Sequence, residues 1–167
     1  MELPYLSAYS NAIKMQVMAA IQSQTLGALL QKKYPTSHHY NNDGLLYGLV
    51  IELKNRYLKQ APAIKKVSFD SKMVAIERAL GQHIYKPKRQ GAHWKTQHEI
   101  KIASLFKHVP LDFLMMIVAH ELAHLKEQDH NKAFYQLCCH MQPDYHQKEL
   151  DLRLYLTYLA HFDEPLW

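Results

Sequence analysis

The run Ile117–Phe134, IVAHELAHLKEQDHNKAF, decides how the rest of the chain is read, because it places His120, Glu121, His124 and His130 close together in sequence. Residues four apart on a helix lie on one face, so His120 and His124 can turn both rings toward one ion. Glu121, one position round, falls beside that ion and can take a proton from a water bound to it. With twelve histidines in 167 residues, the accidental count of His-Glu-x-x-His matches is about 0.04, and the further histidine at 130 lowers it roughly tenfold. The apolar residues Leu114, Ile117, Val118 and Leu122 bury one side of the helix, and histidines carried into such surroundings need partners.

Two imidazoles and a neighbouring carboxylate make up the zincin arrangement, and His130 is the expected third ligand. Its spacing matches the metzincins, which have a glycine three residues after the second histidine where this chain has Glu127. The chain is expected to turn there through Gln128 and Asp129, since Asp tolerates unusual backbone angles. Asp129, His140, His146 and Glu149 are the rivals for the third position, Glu149 in the manner of gluzincins.

The segment HELAHLKEQDHNKAFYQLCCHMQPDYHQ, with YLSAY near the start, LKNRYLKQAP in the middle and LDLRLYLTYL near the end, closely resembles the YgjP-like metal-dependent hydrolases, related to the SprT-like and WLM metallopeptidases. That resemblance implies a zincin-like α+β fold, with His120, His124 and His130 as metal ligands and Glu121 as base. It also brings in nucleotides, because some close bacterial relatives are UTP pyrophosphatases. The chain departs from many relatives in reading RALGQHIYKPKRQ where they carry an Arg-Trp-Gly-Ser-Cys-like stretch, retaining only Arg78 and Gly81.

Length and composition set outer bounds. A chain of 167 residues, 48% apolar, suits one domain over residues 1–167, helical to about 62, with the sheet and metal site beyond. No secretory leader or bilayer-length apolar run is visible, so a cytoplasmic location without membrane contact is expected. Cys138 and Cys139 are neighbours on a helix, pointing about 100° apart, and read as small core residues rather than a disulfide or a ligand pair. A net charge of +5 favours anionic partners, but no nucleic-acid-reading module accompanies it.

Around the site, helical spacing predicts a helix pair over Ser10 to Lys33 with Thr25 starting the second, and a helix from about Gly44 to Lys59 capped by Asp43, with Lys54 on its polar side. The pair His38 and His39 falls in a polar loop and is left out of the site. Alternation then predicts strands at Ile64 to Phe69, Lys72 to Ile76 and His98 to Ala103, in a small, mainly antiparallel sheet. The last strand is expected to be a sheet edge beside the active helix, open to an extended peptide. Lys86, Lys88, Arg89 and Trp94 lie in a basic hairpin or loop suited to holding phosphates and stacking a base. Pro110 is expected in the first turn of the active helix, with later helices from about Asn131 to Met141 and from Gln147 to Phe162, the last using Leu150, Leu154, Tyr158 and Leu159 for the core.

Three functions follow. The first is a zinc-dependent, metallopeptidase-like hydrolase using a metal-bound water activated by Glu121, with Tyr145 or His140 as oxyanion stabiliser. The second is a nucleoside triphosphate (UTP) pyrophosphatase, to which Mg2+ can come with the nucleotide although a three-histidine site suits zinc. The third is a non-catalytic domain with structural metal, which would need a fourth protein ligand.

Overall fold

A computed structural model describes residues 2–72, 82–90 and 93–167, with side chains described outside 73–97. The N-terminal half is helical because its apolar residues recur at helical spacing and its breaks carry caps. Helix α1 (Asn11–Gln22) starts where the Ser10 hydroxyl accepts the Ile13 N–H, and it gives way to α2 (Leu26–Lys33) through Gln24 in the left-handed region at φ 56°. Thr25 starts α2 as expected, as its N-cap residue, although its hydroxyl pairs with Ser23 at 2.9 Å instead of capping the helix. Helix α3 (Asp43–Tyr57) is capped by Asn42, which accepts the Leu45 N–H at 2.9 Å. Asp43, the expected cap, instead accepts the Phe69 N–H at 2.9 Å and so pins the strand end. Lys54, expected on the polar side of α3, is buried.

Three strands form a sheet in the order β1-β3-β2, where β1 is Ile64–Asp70, β2 is Gln82–Gln90 and β3 is His93–Ala103. The expected mainly antiparallel sheet is mixed. β1 runs parallel to β3, with Val67 opposite Ile100 and Phe69 opposite Ile102. β2 runs antiparallel to it, from Gln82 opposite Lys101 to Gln90 opposite His93. β3 is therefore the central strand, not the expected edge. Apart from Lys72, the strand expected at Lys72 to Ile76 falls outside the described residues.

A 3-10 turn at Ser104–His108 leads into α4 (Leu111–Ala123), which begins after Pro110. From Phe113 to Ala123 every residue but Met115 is buried. Such a helix, apolar nearly all round, has to sit in the centre of a fold. α3, α5 (Lys132–Met141) and α6 (Tyr145–Phe162) pack around it. The buried face of α6 is Tyr145, Leu152, Tyr155 and Leu156, while Leu150, Leu154, Tyr158 and Leu159 are only partly covered. The tail past α6 covers part of that face, the Trp167 ring lying 5.0 Å from the Tyr155 ring. The Trp167 indole donates to the Tyr34 carbonyl at 2.8 Å, and the Gln31 amide donates to the Leu166 carbonyl at 2.8 Å, closing the chain's end over α2. Among the described residues no helix is long and apolar enough to cross a membrane.

Candidate metal centre

His120 is in the last turn of α4 and His124 caps it, so one helix end sets both rings. The chain then reverses without a glycine. Lys126 N–H and Glu127 N–H both donate to the Ala123 carbonyl at 3.0 Å, and Leu125 N–H donates to the Leu122 carbonyl at 3.1 Å, so the helix tightens as it ends. No residue of this turn has a positive φ, and the unusual backbone angles expected at Gln128 and Asp129 are not used. Asn131 then starts α5: its side-chain oxygen accepts the Phe134 N–H at 2.8 Å, while its amide donates to the Glu127 carboxylate at 3.1 Å. His130 is held between those two anchors.

The turn brings three imidazoles together. Nε2 of His124 lies 3.3 Å from Nε2 of His120 and 3.1 Å from Nε2 of His130, and the three donor atoms all fall within 4.8 Å of one another. Zinc–nitrogen bonds of about 2.0–2.1 Å at tetrahedral angles set neighbouring nitrogens about 3.3 Å apart. The spacing therefore fits one small dication.

Protonation fits it too. Nδ1 of His124 lies 3.0 Å from the Glu127 carbonyl oxygen, which can only accept, so Nδ1 carries the hydrogen and Nε2 keeps its lone pair. Burial, then the neighbouring His124, His130 and Arg153, hold His120 well below its ordinary pKa. Burial is also the main reason His124 is lowered.

Phe134 forms the floor. It is fully buried, and its ring centroid lies 4.9, 4.6 and 4.7 Å from those of His120, His124 and His130. Glu121, 1% exposed, follows His120 on α4, and burial pushes its carboxyl well above the usual carboxylate range. A cation held by the adjacent imidazoles would act in the opposite direction.

Tyr145, at the start of α6, is buried with its hydroxyl 2.7 Å from Nδ1 of His120, on the side of the ring away from the cluster. The Cys138 thiol lies within hydrogen-bonding reach of the same hydroxyl. This contact was not visible in the sequence, since 25 residues separate the partners. The rival ligands are elsewhere. His140 meets the Tyr57 ring edge-on at 5.4 Å, Glu149 binds Arg153 at 2.7 Å, His146 packs near Tyr135 at 5.3 Å, and Asp129 is not in the cluster of ligand atoms. His38 is satisfied structurally, facing the Phe106 carbonyl at 2.7 Å and accepting the Tyr40 N–H at 2.9 Å. Lys86, Lys88 and Arg89 fall on β2 and Trp94 on β3, and their side chains lie outside the described residues.

Residues 52–155 match the family model described as YgjP-like, metallopeptidase domain. A UTP pyrophosphatase of Escherichia coli (strain K12) is 49% identical over 158 residues, which span 95% of this chain and 95% of its own. No solved structure matches the chain.

Proposed function

From membership of the YgjP-like family, to which this chain belongs, we propose that it is a metal-dependent hydrolase that releases pyrophosphate from a nucleoside triphosphate such as UTP. The observation that carries the reading is the convergence of the ligand nitrogens of His120, His124 and His130 within 4.8 Å of one another, on a helix end that also carries the buried Glu121. These three residues would hold the ion, and their all-nitrogen donor set favours zinc. A dication held there supplies Lewis-acid polarisation and a lowered pKa for bound water.

The protein's own groups do the rest. Glu121 accepts the proton of the attacking water and later delivers it to the leaving group. The water oxygen joins the α-phosphorus, the bond from that phosphorus to the α,β-bridging oxygen breaks, and pyrophosphate departs with the bridging oxygen. The net charge of +5 suits a polyanionic substrate.

The substrate class rests on the identity to the UTP pyrophosphatase. Peptide hydrolysis is the second reading, favoured by the metallopeptidase description of the family. Its sequence support was an open strand beside the active helix, and β3 instead has a partner on each side, which occupies the main-chain groups a peptide would use.

The test assays zinc-loaded protein and its Glu121→Gln variant against UTP, other nucleoside triphosphates and peptides. Pyrophosphate release from UTP is expected, with the variant keeping its metal and losing turnover by about 10²-fold or more. Equal turnover in both proteins removes Glu121 from the chemistry, and cleavage of peptides alone replaces the nucleotide reading with the second.

A further inference from the structure

Two of the three imidazoles have an outward-facing nitrogen bonded to the protein, and the two bonds differ in kind. For His124 the partner is a carbonyl, which leaves no choice of tautomer. For His120 it is the hydroxyl of Tyr145, which can donate or accept. If Tyr145 donated, Nδ1 of His120 would be unprotonated, Nε2 would carry the hydrogen, and that hydrogen would point into the cluster. If Tyr145 accepts, Nε2 offers its lone pair and the hydroxyl hydrogen is free to turn toward the Cys138 thiol.

We propose that Tyr145 is a positioning residue for the metal ligand His120: its buried hydroxyl, 2.7 Å from Nδ1, accepts the ring hydrogen and so fixes both the tautomer and the aim of Nε2. The inference rests on the metal reading above and adds that one ligand is braced from α6, outside the helix–turn–helix that carries all three histidines. Tyr145 acts through His120 and does not touch substrate. A hydroxyl bonded behind the ring is poorly placed to stabilise an oxyanion, the role its position in sequence first suggested. Support of this kind commonly changes metal affinity 10–100-fold when it is removed.

The experiment compares full-length wild type with Tyr145→Phe, which keeps the ring and removes the hydroxyl. Zinc affinity is read by chelator competition, the thermal midpoint of each metal-free protein by calorimetry, and the His120 tautomer of metal-free wild type by 15N NMR of the imidazole. Expected are a roughly 10–100-fold loss of zinc affinity, a metal-free midpoint shifted by no more than a few degrees, and hydrogen on Nδ1 of His120 in wild type. A zinc affinity within about twofold of wild type, or hydrogen on Nε2 in metal-free wild type, overturns the proposal even if Tyr145→Phe folds poorly. Failure of the wild type itself to bind zinc is a separate result, which removes the metal reading and this inference with it.

Discussion

At the scale of single residues, Cys138 and Cys139 show how environment separates two identical side chains. Cys138 is fully buried beside Tyr145, where burial pushes its thiol up to about 12, while Cys139 is partly exposed. Only the thiolate reacts with alkylating reagents, and an ordinary cysteine gains thiolate as pH rises past about 8.5. A raised value keeps Cys138 protonated through that window, so its labelling in native protein should stay negligible from pH 7 to 9, while the partly exposed Cys139 is open to the reagent. Peptide mapping by mass spectrometry checks this, and both should label after denaturation. Modification of Cys138 at the rate of Cys139 would show that the packing around Tyr145 opens readily. The histidines were legible in the sequence because the i, i+4 spacing on a helix is a local rule. The Tyr145 bond was not, because no local rule joins residues 120 and 145.

Among the elements, the turn between α4 and α5 bears the geometry of the site, and Asn131 holds both of its ends. Asn131→Ala removes the cap on Phe134 and the tie to Glu127 together. Loss of such a cap costs about 1 kcal/mol, readable as a lower urea midpoint of metal-free protein. Zinc affinity should fall as well, since His130 precedes the lost anchor directly; an unchanged affinity would show that the turn keeps its shape by backbone bonds alone. Caps were only partly legible. Two adjacent residues, Asn42 and Asp43, could each have started α3, and tertiary structure decided between them by giving Asp43 to Phe69. The turn at Glu127 was misjudged for a related reason. Sequence suggested a residue with unusual φ, whereas backbone tightening at the helix end was enough.

For the molecule as a whole, an ion bound only by the folded chain must stabilise it. At one hundred times its dissociation constant the gain is about 2.7 kcal/mol. Differential scanning calorimetry should therefore show a higher melting temperature with zinc, reversal by chelator, and no response in a His120→Ala, His124→Ala double variant. Equal shifts in wild type and double variant would move the ion to another site. Helix content was readable across the chain because periodicity is intrinsic to each segment. Sheet order was not, because alternation identifies a strand without naming its neighbours, and β3 proved central when it was expected at an edge. The buried face of α6 likewise depended on what packed over it, including Trp167 against Tyr155.

An order of events during biosynthesis follows from where Tyr145 lies. Chains are made from the N-terminus, so His120, His124 and His130 all leave the ribosome before the hydroxyl that is to grip the first of them. If Tyr145 fixes that ring, the nascent chain can offer an ion only a slack set of donors, and tight capture waits until residues 145–162 have docked.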